Sequence, residues 1–194
     1  MLFRSQFDVS VFRTGTLGPE LSRQPLLAEE LLGYDLVVLN NVGASALGEP
    51  GEIAVKQYVE AGGNLLVCGG QHSLGKSRWD ESVLAEVLPL ITRPFWDMDA
   101  LPEFAPIDGD LGCVRWIQEP AALKPDAKVL WKVGDHPLLV TGTFGKGKVA
   151  VWLGTPLGEP PVGMTPYWES ANWAPALSKV LAEMLGERNG SPQK

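Results

Sequence analysis

The sequence predicts an α/β fold built on a mostly parallel sheet, and three stretches carry that prediction. DLVVL (residues 35–39) and NLLVC (residues 64–68) are short, unbroken apolar runs, the pattern of strands covered on both faces of a parallel sheet. Between them EPGEIAVKQYVEA (residues 49–61) reads as a crossover helix. Pro50 suits its first turn, acidic residues favour its N-terminal dipole, and Gly62-Gly63 end it.

Taken in order, FDVSVF (residues 7–12) alternates apolar and polar residues and reads as a strand. LLAEELL (residues 26–32) gives a helical turn or two, and the strand at 35–39 follows. A loop over 40–48 leads into the helix, the strand at 64–68 and a second loop over 69–78. SVLAEVL (residues 82–88) then predicts a helix closed by Pro89. This order implies a doubly wound layer with helices on both faces. Such sheets bind ligands at the carboxyl ends of their strands, where the loops over 40–48 and 69–78 fall.

The second half reads differently. Residues 93–112 look like loop, and strands are expected at 113–118, 129–133, 138–144 and 149–153. FGKGK (residues 144–148) joins the last two as a hairpin turn, so this part of the sheet is antiparallel. A Pro/Gly-rich loop spans 154–172. APALSKVLAEML (residues 174–185) closes the chain as a helix whose Leu177, Val180, Leu181, Met184 and Leu185 share one face, with Gly186 as its stop. One domain over residues 1–186 and a disordered tail over 187–194 are expected.

Composition narrows the function. A net charge of −7 and the lack of any Lys/Arg run argue against a nucleic-acid surface. No stretch reaches the roughly 18 apolar residues of a membrane span, and residues 1–12 lack a signal-peptide pattern. The two cysteines, Cys68 and Cys113, make neither a disulfide framework nor a zinc site. A cytoplasmic protein is the expectation, with no metal and no cofactor. Asp97, Asp99, Asp108 and Asp110 match no calcium-loop spacing and read as solvated loop acids.

One motif invites a sharper function. Gly70, Gly75, Lys76 and Ser77 in GQHSLGKS satisfy the phosphate-cradling pattern G-x-x-x-x-G-K-[ST]. A working cradle needs a helix beginning at Lys-Ser, whereas RWDE follows Ser77 and apolar helical spacing starts only at Val83. A Walker-B acid is also missing, Asp135 alone coming near. GTFGKGK (residues 142–148) imitates the same pattern between two strands. Nucleotide binding through residues 70–77 therefore stands as an alternative, not as the main reading.

YDLVVLNNVGASAL, GEIAVKQYVEAGGNLLVCGGQHSLG and ESVLAEVLPL together resemble the class I glutamine-amidotransferase-like superfamily. More narrowly, they resemble its bacterial domains of unassigned function. Gly69, Gly70, Ser73 and Gly75 fill the Gly-Gly-x-x-Ser-x-Gly loop of that family, and Leu88-Pro89 its helix end. The resemblance implies a flavodoxin-like three-layer sandwich. It also implies a strand and helix ahead of FDVSV, so the chain either lacks that first unit or belongs to a longer protein.

The superfamily's amidotransferases use a Cys on a sharp G-x-C-x-G elbow with a distant His-x-Glu. Here Cys68 has Gly70 but Leu66 in place of the first glycine, and His136 is not followed by a carboxylate at the second position. Cys68 and His72 are the remaining catalytic candidates for an atypical hydrolase or amidotransferase. The structural alternatives are a small apolar Cys in a buried strand, a solvated His72, turn chemistry at Ser73 and a strand-start role for His136. The reading is a non-catalytic domain that binds a small polar ligand, a protein partner or another copy of itself. Its candidate binding residues are Asn40, Asn41, Gly69, Gly70, Gln71, His72, Ser73 and Lys76, joined by Trp168 and Glu169 from an aromatic-rich loop. The expected pocket lies between residues 40–45, 69–77 and 167–173.

Overall fold

The computed structural model describes residues 27–186; the expected strand at 7–12 and the tail at 187–194 lie outside the described residues. A short helix α1 (Ala28–Leu31) leads into strand β1 (Leu36–Asn40), helix α2 (Ala44–Glu60) and strand β2 (Asn64–Cys68). Two-residue β3 (Leu90–Ile91) and long β4 (Met98–Pro106) and β5 (Cys113–Gln118) come next. After β6 (Ala122–Leu123), strands β7 (Lys128–Val133), β8 (His136–Phe144) and β9 (Gly147–Trp152) run through the hairpins. The chain finishes with β10 (Gly154–Thr155) and helix α3 (Trp173–Leu185).

The main sheet has the order β1-β2-β9-β8-β7. β1, β2 and β9 are parallel, and β8 and β7 are antiparallel. A smaller antiparallel sheet has the order β10-β5-β4, and β3 pairs with β6. The mixed α/β architecture expected from the apolar runs is therefore present, with its antiparallel part in the second half.

Period-two alternation in β2 and β9 sorts their side chains onto opposite faces. Leu65, Val67, Val149 and Val151 join one core with Val55, Tyr58 and Val59 of α2. Leu66, Ala150 and Trp152 join the other, with Leu177, Leu181 and Met184 of α3 and with Val114 and Ile117 of β5. Each fully buried Leu or Val contributes about 1.5–3 kcal/mol, so these paired faces hold the sheet in register. Gly62 (φ +119) makes the left-handed turn that carries the chain from α2 into β2.

Five expectations need correction. β1 is not buried on both faces: only Leu39 is buried, Val38 is exposed, and β1 is the sheet edge among the described residues. α2 begins at Ala44, not near residue 49, because a helical turn precedes a kink at Gly48 (φ 67, ψ 162) before Pro50. Residues 82–88 hold only a short 3₁₀ turn, Val83–Ala85, after two others at Leu74–Ser77 and Trp79–Glu81. Buried Trp79, Leu84 and Leu88 fix this stretch by packing rather than by helical propensity.

The span 93–112 is not loop, since β4 occupies much of it. Its Pro102 and Pro106 are tolerated because β4 lies on the edge of its sheet among the described residues, and the register shifts between Ala100 and Ala105. The span 154–172 likewise contains β10 and a 3₁₀ turn at Tyr167–Glu169.

Candidate functional site

The carboxyl ends of β1 and β2 bring two predicted loops together. The Asn41 N–H donates to the Cys68 carbonyl at 3.0 Å, which continues the β1–β2 ladder one residue past the strands. From the other side the Asn41 Oδ1 accepts the His72 N–H at 2.7 Å. A Cβ on Gly43 would sit 2.8 Å from the Ser77 Oγ, so this glycine is what lets the two loops close on each other. The Ser77 hydroxyl in turn donates to the His72 carbonyl at 2.6 Å.

The loop after β2 is filled by side chains from distant parts of the chain. The Gly69 N–H donates to the Trp152 carbonyl, and its missing side chain leaves room for Gln118, whose Oε1 any Cβ there would strike. The Gln118 Oε1 accepts the Gly70 N–H at 2.9 Å. Its Nε2 faces the Gly70 and Ser73 carbonyls and the Asp97 carboxylate at 3.3–3.4 Å. Asp97 Oδ2 accepts the Gly75 N–H at 2.9 Å.

Gln118, Asp97 and Ser73 are all buried. Burial pushes the Asp97 carboxyl above the usual aspartate range, against the hydrogen bonds from the Gly75 amide and Gln118 that favour its charged form. Asp97 is thus not the solvated loop acid expected from the sequence. Of its companions, Asp99 pairs with Arg93 at 2.6 Å and Asp110 accepts from Asn172. Among the described residues no group of three or more His, Cys, Asp or Glu is placed to hold a metal ion.

The backbone around these loops is strained. Five described non-glycine residues have positive φ, and four of them, Asn41 (53°), Leu74 (50°), Arg78 (57°) and Phe95 (68°), lie in this cluster. Asn accepts the left-handed region readily, but Leu, Arg and Phe do so only when their surroundings hold them there, at about 1–3 kcal/mol each. Such outliers concentrate at working sites and switch regions. No sequence signal marks them.

Above the loop the chain turns back over itself at residues 93–97. The Lys76 Nζ stands 5.4 Å from the Trp96 ring centroid, and the Arg78 guanidinium carbon 4.5 Å from that of Phe95. Arg78 also pairs with Asp80 and Glu81. Phe95 is 67% exposed and Trp96 48%, so both rings face outward while cations stack on them. An open, shallow depression lined by Ala44, Ser45, Glu52, Ser77, Arg78, Glu81 and Ser82 adjoins this rim.

Of the predicted binding residues, Asn40, Asn41, Gly69, Gly70, Gln71, His72, Ser73 and Lys76 all fall in the cluster, with Asn40, Gln71, His72 and Lys76 exposed. Trp168 and Glu169 do not join them in one pocket. Trp168 packs edge-on against Tyr167 at 5.1 Å on the α3 side of the sheet, and Glu169 is exposed at the end of its 3₁₀ turn.

Cys68 points to that same side. It packs in the second core with Trp131, Trp152, Tyr167, Trp168 and Trp173, and desolvation pushes its thiol up to about 12. At neutral pH only about one such thiol in 10⁵ is ionised, whereas a nucleophilic Cys needs a depressed pKa. Tyr167 is raised further still, again by burial. His136 bonds through Nδ1 to the Glu119 carboxylate and tethers the start of β8 to the end of β5.

A family model described as "Putative glutamine amidotransferase" matches residues 4–176. The chain belongs to this family. Cytoplasmic protein STM1381 from Salmonella typhimurium LT2 shares its fold at 23% identity, with a TM-score of 0.72 over 84% of this chain and 76% of that one. Cytoplasmic protein STM3548 from Salmonella typhimurium aligns at 23% identity and TM-score 0.63 over 78% and 74%. No curated protein is detectably similar.

In this glutamine-amidotransferase-like domain Leu66 stands where the G-x-C-x-G elbow pattern has its first glycine. The last residue of β2 is a thiol packed among tryptophans, and the amides of the loop after it meet side chains from other segments. The same geometry bears on the phosphate-cradle pattern: the Gly70, His72 and Gly75 amides are engaged by Gln118, Asn41 and Asp97. Lys76 lies within a 3₁₀ turn, not at the start of an α-helix. Gln118, Asp97, Phe95 and Trp96 are the members of the site that sequence reasoning missed. Among the described residues no helix is long and apolar enough to cross a membrane.

Proposed function

We propose that this domain is a non-catalytic, cytoplasmic glutamine-amidotransferase-like binding module that engages a protein partner or a second copy of itself. Its binding face is the carboxyl-end loop cluster, with Phe95 and Trp96 as its anchors. We also read its architecture as a variant of the flavodoxin-like three-layer sandwich. The single observation that carries the proposal is that the elbow loop is occupied from within: the Gly69 N–H, the donor beside Cys68 that an oxyanion would use, goes to the Trp152 carbonyl, and Gln118 takes the Gly70 N–H.

The exposed aromatic pair favours a protein over a small ligand. Trp and Arg are enriched at interface hot spots, and on this rim Trp96 carries Lys76 on its ring while Arg78 stacks on Phe95. The depression beside them is open rather than enclosing, which suits a surface contact better than burial of a small molecule.

Photo-crosslinking tests the reading. A benzoylphenylalanine at position 96 is expected to give one discrete protein adduct, either a dimer of this chain or a complex with one partner. The same probe at Lys179, on the exposed side of α3, is expected to give none. Equal labelling from the two positions, or no adduct from position 96, overturns it.

A further inference from the structure

The contacts of residues 93–97 on the elbow loop are all made by side chains or by one close backbone approach, and none belongs to the main sheet. Asp97 accepts the Gly75 N–H, and Trp96 and Phe95 receive Lys76 and Arg78 on their faces. Gly75 is pressed so closely beneath the Arg93 carbonyl that a Cβ would collide with it, and that Cβ would also lie 2.8 Å from the Asp97 Cγ. The segment is held in a three-residue turn in which the Trp96 N–H donates to the Pro94 carbonyl at 2.9 Å, with Phe95 between them at φ 68°.

We propose that residues 93–97 are a latch, which opens as a unit away from the elbow loop while the sheet beneath stays folded. The inference rests on the reading of this face as the binding face, and it supplies that face with a means of regulation. Three features make the latch two-state. The strain at Phe95 (φ 68°) sits inside the segment itself, in the turn closed by Trp96 and Pro94, and is the strain that opening can release. The closed state is held by a few discrete contacts around one buried carboxylate. The two aromatic rings are already 67% and 48% exposed, so opening removes little apolar surface from a core.

The strands on either side behave differently. Val67 and Val151 are fully buried partners in the β2–β9 register and can exchange with solvent only when the sheet separates. Val67 precedes the elbow loop by only two residues. The two regions therefore report different events although they are close in sequence.

Amide hydrogen exchange on the free protein, read residue by residue by NMR, tests the latch. The Gly75 amide is expected to exchange at least about tenfold faster than those of Val67 and Val151, and with a weaker denaturant dependence, as sub-global opening requires. Asp97→Asn is expected to speed Gly75 by a further factor of about ten and to leave Val67 and Val151 unchanged. Trp96→Ser, which leaves the buried carboxylate in place, is expected to act in the same direction and serves if the Asp97 variant does not fold.

Exchange of Gly75 at the rate and denaturant slope of Val67 overturns the latch, as does a substitution that speeds both equally. Because the measurement needs no partner, a latch that opens with no adduct at position 96 overturns the binding reading alone. An adduct with a latch that never opens locally overturns this inference alone.

Discussion

Gln118 and Gly70 lie 48 residues apart in the chain, yet the Gln118 side-chain oxygen takes the Gly70 N–H at 2.9 Å and its nitrogen returns toward the Gly70 carbonyl at 3.3 Å. This two-way contact binds β5 of the small sheet to the loop after β2 of the large one. It also sets the character of the site, because the backbone groups at the elbow are satisfied from within.

Gln118→Ala leaves the buried Gly70 N–H without its acceptor and opens a void beside Asp97. A loss of about 2–3 kcal/mol is expected, read as a lower urea midpoint at constant slope. A loss below about 0.5 kcal/mol contradicts the placement of this side chain at the centre of the network.

Gly75→Ala is expected to cost more than an ordinary glycine substitution. The added methyl meets the Arg93 carbonyl, which is backbone and cannot swing aside, so about 2–3 kcal/mol is expected. Gly134→Ala is the comparison: nothing lies within 4 Å of its Cβ, and only the cost of φ +57° remains, about 1 kcal/mol. Thermal unfolding of the two variants side by side gives the difference.

Cysteine chemistry gives a third expectation. Cys68 titrates at about 12, and burial raises Cys113 as well. A thiol reagent at pH 8 is expected to find neither cysteine in the native protein and both in urea. Rapid labelling of one thiol in the native state would place Cys68 in a reactive setting after all.

The pH dependence of stability follows from Asp97. Its folded pKa is raised above the unfolded value by burial, so on acidification the folded protein takes up this proton before the unfolded chain does. Its contribution to stability therefore grows as pH falls from neutrality toward the ordinary aspartate value of 3.8, and it is lost as pH rises through the folded pKa. In Asp97→Asn that part of the profile is expected to be flat. An unchanged profile contradicts the burial of this carboxyl.

Much of the fold was legible because it is written in local patterns. The apolar runs that became β2 and β9, the glycines after α2 and the apolar face of α3 are each decided within a dozen residues. β4 was not legible, since Pro102 and Pro106 mark a loop unless the strand is known to lie on an edge. Neither was the 3₁₀ run, which is set by the burial of Trp79 and Leu84 against α2.

The site was half legible for the same reason. The loops at the ends of β1 and β2 follow from topology alone, and their glycines and polar residues could be named in advance. Gln118 and Asp97 reach them from other segments, and single-sequence patterns carry no information on such pairings. Trp168 misled because an aromatic in a Pro/Gly-rich loop looks like a binding rim, whereas here it completes a core with Trp152, Tyr167 and Trp173.

In the proposed reading the loop after β2 is closed by Gln118, Asn41 and Asp97, and the domain does no chemistry there. Release of glutamate and ammonia from L-glutamine, measured for the wild-type chain and for Cys68→Ser, tests it most directly. No turnover above the buffer blank is expected in either protein. Turnover in the wild type that Cys68→Ser abolishes would show that this half-buried thiol is a working nucleophile, and would contradict that reading.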